Sequence, residues 1–251
     1  MEFVQPVVWT GRAMLGYGAL AAFFVGNAIM ELTGITQIRY SKFRRGNGIS
    51  TRLGTLIFDG IAVLFAIGYA MMRAATATPI QWIMSILFVI HFGKRCLEAL
   101  FVHKYSGPID VFSVVQITGF YCLAVWLGLF TTASVTETPD MITWIGLGTF
   151  AAGTVINGYH HWLLAKLRAR GSTEYVLPRG GLFDVIVCPH YLGELLAWLG
   201  IALVSRQLAM YIWFVGETAY LLIRSRNTLK WYHAKFPQMA GRVRGLLPGL
   251  V

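Results

Sequence analysis

His91, Lys94, Arg95 and Glu98 stand at i, i+3, i+4 and i+7, so a helix would present all four on one face. Ionisable groups of this kind at membrane depth are costly and normally face a bundle interior or a watery cavity. Further ionisable or strongly polar groups recur: Glu31, Asp59, the Asn157, His160, His161 series, His190 and Glu194 at i and i+4, and Glu217 with Arg224. All lie within or beside apolar stretches. Taken singly, Glu31 and Glu217 read as interhelical hydrogen bonds, and Lys94 reads as a side chain snorkelling to an interface. Taken together, the groups predict a polar cavity. A metal centre is not expected: six histidines with one adjacent pair are too few for the histidine boxes of a membrane di-iron oxidase. The His190 and Glu194 spacing has no second pair to match it. No Gly-x-Gly-x-x-Gly follows a strand; Gly146, Gly148 and Gly153 read as helix-packing positions.

The elements that must carry these groups are transmembrane helices. Of the 251 residues 56% are hydrophobic and 13% charged, against about 25% charged in an ordinary soluble domain. Apolar runs long enough to cross ~30 Å of hydrocarbon fall near 14–36, 54–72, 79–101, 111–131, 141–165, 182–205 and 207–223, the last two parted by a tight break at Ser205–Arg206. The expectation is an all-α integral membrane protein, a bundle of about seven transmembrane helices forming one domain over residues 1–251. Nothing at the amino terminus resembles a cleaved signal peptide.

The basic residues orient that bundle. Five sit in the first loop (Arg39, Lys42, Arg44, Arg45, Arg52) and three at the exit of span three (Lys94, Arg95, Lys104). Four follow span five (Lys166, Arg168, Arg170, Arg179), and six are in the tail (Arg224, Arg226, Lys230, Lys235, Arg242, Arg244). If spans alternate, all these face one side, leaving Arg12, Arg73 and Arg206 opposite. Cytoplasmic loops collect Lys and Arg, so the carboxyl terminus is expected in the cytoplasm and the amino terminus outside. The net charge of +10 then follows from topology and implies no nucleic-acid partner; a basic mouth would also draw a phosphorylated ligand. Cys96, Cys122 and Cys188 lack CxxC spacing and are expected as free thiols.

Several segments resemble the steroid 5-alpha-reductase family, which includes very-long-chain trans-2-enoyl-CoA reductases and polyprenol reductases. His91–Ser106 (HFGKRCLEALFVHKYS) is most similar to the enoyl-CoA reductase branch. Pro178–Glu194 (PRGGLFDVIVCPHYLGE) is closer to the steroid reductases, with a Pro-His-Tyr like that of the polyprenol branch. The YSKF at 40–43 and a tail with Trp231, Tyr232, Lys235, Phe236 and Leu-Pro at 247–248 complete the set. The resemblance implies NADPH bound from the cytoplasmic side and hydride transfer to the β-carbon of a lipid C=C bond conjugated to a carbonyl. It implies cofactor contacts at Tyr40, Arg95, Asn157, Arg168, Tyr175, His190, Glu194, Arg224 and Tyr232, with Arg168 and Arg224 on phosphate and Glu194 on the nicotinamide amide. His190 stands where steroid and enoyl reductases carry Asn.

The catalytic end departs from the family pattern. Relatives carry a carboxylic acid on span two and a Tyr after the span-three His; here these positions hold Asp59 and Phe92, and Phe cannot donate a hydrogen bond. The sequence-based expectation is that Asp59, kept protonated by burial, polarises the carbonyl beside His91. Expected partners are the bilayer and a lipid substrate (steroid, enoyl-CoA or polyprenoid), in the endoplasmic reticulum of a eukaryote or the inner membrane of a bacterium. Two alternatives stand beside this reading: a membrane methyltransferase of the isoprenylcysteine or phospholipid type using S-adenosylmethionine, and a reductase fold without activity. The methyltransferases carry Arg-His-Pro before a Tyr, whereas this chain reads Cys188-Pro189-His190-Tyr191.

Overall fold

The computed structural model describes residues 10–34, 48–105, 107–167, 176–237 and 244–246. Among them are seven α-helices: α1 (Gly11–Thr33), α2 (Thr51–Arg73), α3 (Pro79–Phe101), α4 (Val111–Thr131), α5 (Met141–Lys166), α6 (Pro189–Ser205) and α7 (Leu208–Lys235). Local chemistry sets the boundaries. Pro79 and Pro189 open α3 and α6, where a missing N–H costs nothing. Thr78 with Gln81, and Asp140 with Thr143, form reciprocal capping boxes at α3 and α5. The Thr143 amide holds the Asp140 carboxyl below its ordinary pKa.

Helices α1, α2, α4 and α5 are long and apolar enough to cross a membrane. Only 11–33% of the residues in those apolar windows are buried inside the protein. Large side chains such as Leu15, Leu64, Phe112 and Trp144 therefore stand outward, as a surrounding lipid phase requires and water would penalise. This is a multi-pass membrane architecture. Helices α3, α6 and α7 are less apolar or shorter, and they carry Lys94, Arg95, Glu194, Glu217 and Arg224.

Two predicted spans differ in detail. The run predicted from 182 starts as a helix only at Pro189, because Gly181–Asp184 form a 3-10 turn first. The run predicted to stop at 223 continues to Lys235, with Arg224, Ser225 and Thr228 buried. The break at Ser205–Arg206 is real. Arg206 takes a left-handed φ of 53° and pairs with Asp140 Oδ2 at 3.1 Å.

α1 packs on α7, α2 on α3 and α4, and α5 on α6, while α3 reaches α6 and α4 reaches α7. The core centres on Trp198, Trp213, Phe88, Phe92 and Met84, all sealed from solvent. A two-residue strand β1 (Ile49–Ser50) pairs antiparallel with β2 (Pro108–Ile109), with Ile49 opposite Ile109, and Thr51 Oγ1 donates to the Gly107 carbonyl. This clasp ties the starts of α2 and α4 together. A Cβ at Gly48 would fall 2.0 Å from the Ile109 oxygen, so no larger residue fits there.

Candidate active site

The contact between α5 and α6 is made backbone to backbone. A Cβ at Gly193 would lie 2.4 Å from Asn157 N, and one at Gly153 would lie 2.4 Å from Ala197 N. Gly146 and Gly200 make a similar close approach, so two of the three predicted packing glycines pack, while Gly148 has nothing near it. The consequence is chemical. Asn157 Nδ2 reaches across to donate to the His190 carbonyl at 2.9 Å and to Glu194 Oε2 at 3.2 Å.

Glu194 gathers the polar groups of three helices. Besides Asn157, His91 Nε2 lies 3.3 Å from Oε1, Arg95 Nη1 lies 3.8 Å from Oε2, and Trp198 Nε1 donates to Oε1 at 3.3 Å. The row predicted on α3 does share a face: Lys94 Nζ meets Glu98 Oε1 at 2.8 Å and also bonds Asn157 Oδ1, and His161 Nδ1 lies 2.9 Å from Glu98 Oε2. Glu98, His103 and His161 bring donor atoms within 4.8 Å of one another, and Lys94 already meets the carboxylate among them. Burial, with His161 alongside, pushes the His103 pKa down to about 3. His160 acts elsewhere. Its Nδ1 donates to the Ile156 carbonyl at 2.7 Å and its Nε2 accepts from Leu182 N at 3.1 Å, pinning the 3-10 turn.

These groups border a cavity of about 540 Å³ running among the helices. Of the residues named as cofactor contacts by resemblance, Arg95, Asn157, His190, Glu194, Arg224 and Tyr232 line it. Tyr40, Arg168 and Tyr175 lie outside the described residues. Asp59 and His91 are not on the cavity wall; each stands behind a residue that is. Asp59 is sealed from solvent, its Oδ1 accepts from Arg95 Nε at 2.9 Å, and its Oδ2 has no hydrogen-bond partner among the described residues. The shorter Asp side chain stops beneath the guanidinium, so Arg95 is the group that meets the cavity. Arg224 Nη1 is 3.4 Å from Glu31 Oε2 and donates to Tyr220 Oη at 3.3 Å. Glu31 thus serves the structural hydrogen-bonding role read from sequence, whereas Glu217 faces the cavity. Tyr121 and Tyr220, which sequence reading passed over, also line it, as does Lys104, which it counted only as a topology-setting cation. Tyr121 sits in a span without charged residues, where nothing in the pattern distinguishes it from apolar neighbours.

Residues 108–251 match the family model of the 3-oxo-5-alpha-steroid 4-dehydrogenases. The chain is 30% identical to a very-long-chain enoyl-CoA reductase of Dictyostelium discoideum, across 66% of this chain and 57% of that protein. It is 28% identical to a 3-oxo-5-alpha-steroid 4-dehydrogenase 1 of Macaca fascicularis, across 67% of this chain and 66% of that protein. With the Bos taurus 3-oxo-5-alpha-steroid 4-dehydrogenase 1 it shares 25% identity across 94% of this chain and 96% of that protein. The chain belongs to the 3-oxo-5-alpha-steroid 4-dehydrogenase family, the steroid 5-alpha-reductases.

Proposed function

We propose that this protein is an NADPH-dependent membrane reductase that saturates a C=C bond conjugated to a carbonyl in a lipid. The observation that carries this reading is the convergence of Asn157, His91 and Arg95 on Glu194 at the wall of a cavity inside a lipid-facing bundle. Relatives named for steroid and for enoyl-CoA substrates both act on such bonds, and a 3-oxo-4-ene steroid or a 2-enoyl-CoA is accordingly the proposed substrate, with a polyprenoid as the third class to test.

The lining suits a reduced nicotinamide dinucleotide. An amide ligand's N–H needs an acceptor, and the Glu194 carboxylate, held in place by Asn157, offers one on the cavity wall. Phosphates need cations, and Lys104 and Arg224 are on the same wall. By family resemblance Arg168, Tyr175 and Tyr40, outside the described residues, are further proposed cofactor contacts, and Tyr232 lines the cavity. When bound, the nicotinamide supplies hydride for the β-carbon. The remaining work falls to the chain. Negative charge developing on the substrate carbonyl oxygen is met by the Arg95 side of the cavity, in a surround where a fixed positive charge acts strongly. Asp59 orients Arg95 from behind through Nε, and His91 does the same for Glu194.

The bundle is proposed to lie with its carboxyl terminus in the cytoplasm, in the endoplasmic reticulum or a bacterial inner membrane; a reporter fused at Val251 should read as cytoplasmic. The functional test is direct. Purified protein is incubated with NADPH and a panel of 4-ene-3-oxosteroids, 2-enoyl-CoAs and polyprenals, and loss of NADPH absorbance is followed. Consumption with at least one class is expected. No consumption with any, or tighter binding of S-adenosylmethionine than of NADPH, would overturn the assignment.

A further inference from the structure

The position that holds a Tyr in the resembling enzymes is Phe92 here, and its ring is fully buried. Position 92 therefore supplies no hydroxyl to a substrate's carbonyl oxygen. The structure offers one from another helix. Tyr121 of α4 packs its ring 4.9 Å from that of Phe92, centroid to centroid, and lines the cavity. Its hydroxyl oxygen accepts a hydrogen bond from Arg95 Nη2 at 3.3 Å, and the guanidinium carbon lies 5.7 Å from its ring centre. The hydroxyl hydrogen has no acceptor among the described residues, so it remains available to a ligand. Around this polar point the wall is aromatic: Phe58 and Phe120 lie 5.8 Å and 6.0 Å from Tyr121, ring centre to ring centre, and both line the cavity.

We propose that Tyr121 donates the hydrogen bond to the substrate's carbonyl oxygen, supplying from α4 the hydroxyl that the relatives' Tyr supplies from α3. The proposal rests on the reductase reading above. As the β-carbon gains hydride from the reduced nicotinamide, the C=C electron pair forms a new double bond between the α-carbon and the carbonyl carbon. The carbonyl pair moves onto oxygen, which accepts from the Tyr121 O–H. A proton taken from water then bonds the α-carbon, and the oxygen's pair re-forms the carbonyl. Tyr121 keeps its proton throughout, and Arg95, held by Asp59 on Nε, makes the hydroxyl a stronger donor by drawing on its oxygen.

Three measurements on the full-length protein test this. Tyr121→Phe removes one oxygen and should lower kcat by ~10²-fold or more, the scale of a lost oxyanion donor, with KM and NADPH affinity nearly unchanged. Phe92→Tyr added to Tyr121→Phe should recover part of the loss, which a merely structural tyrosine would not allow. The third readout needs no turnover. The C=O stretch of a 13C-labelled 4-ene-3-oxosteroid or enoyl thioester bound to cofactor-free protein should sit at lower frequency in wild type than in Tyr121→Phe. Wild-type turnover and an unshifted carbonyl band in Tyr121→Phe, in a protein whose wild type reduces the same substrate, would sink the proposal alone. A wild type that consumes NADPH with no conjugated substrate would remove the reductase reading, and this proposal with it.

Discussion

Arg95 Nε lies 2.9 Å from Asp59 Oδ1, and the carboxylate beneath it is wholly buried while the guanidinium lines the cavity. The pair is a support and the thing supported. Asp59→Asn keeps volume but removes the charge that fixes Arg95, and a displaced catalytic group commonly costs about 10²-fold. We therefore expect kcat on the proven substrate to fall on that scale with NADPH affinity intact. Asp59→Glu, which keeps the charge and adds one methylene, should retain more activity. Normal turnover in Asp59→Asn would leave the pair a purely structural role.

Glu194 is the junction of His91, Arg95, Asn157 and Trp198. Glu194→Ala and Asn157→Ala should each weaken NADPH binding, because truncating one partner of a charge-assisted contact commonly costs ~2–5 kcal/mol. Titration calorimetry in detergent reads this directly. Unchanged affinity in both variants would mean that the cofactor lies elsewhere.

Gly193 and Gly148 should behave oppositely. A Cβ at position 193 meets backbone at 2.4 Å, whereas one at 148 meets nothing within 4 Å. Gly193→Ala should therefore cost about 1–3 kcal/mol by overpacking and lower the melting temperature in detergent. Gly148→Ala should be neutral or raise it, since Ala is the better helix former by up to ~1 kcal/mol. Equal melting temperatures for the two variants would refute the tight α5–α6 contact.

His103 gives a pH dependence with a definite sign. Its pKa is pushed down from the ordinary 6.5 to about 3 by burial. The unfolded chain therefore binds a proton between those values that the folded chain refuses. The contribution to stability is complete above about pH 6.5 and is lost as pH falls toward 3, at a slope approaching ~1.4 kcal/mol per pH unit for this one group. His103→Gln should flatten the drop in melting temperature between about pH 7 and pH 5. An unchanged pH profile in that variant would show that His103 is accessible to protons in the fold.

The membrane character, the number of helices and the break before α7 were all legible in the chain, because each depends on local composition. A run of apolar residues must be helical in hydrocarbon to satisfy its own backbone, and the Pro and capping residues mark where helices begin. The helical face shared by His91, Lys94, Arg95 and Glu98 was equally legible, since 3.6-residue periodicity fixes it.

What the sequence alone did not determine is which of those groups meets the cavity. Asp59 and His91 have the right chemistry at the right depth, yet each sits one layer behind, because helix rotation and side-chain length choose between wall and support. Tyr121 shows the converse: its span reads as plain apolar helix, and only the packing of α4 against α3 sets its hydroxyl beside Arg95. Whether a side chain faces a ligand depends on contacts between residues far apart in the chain, and no local pattern encodes those. The tertiary structure decided which side chains line the cavity; the sequence by itself had decided the bundle that holds it.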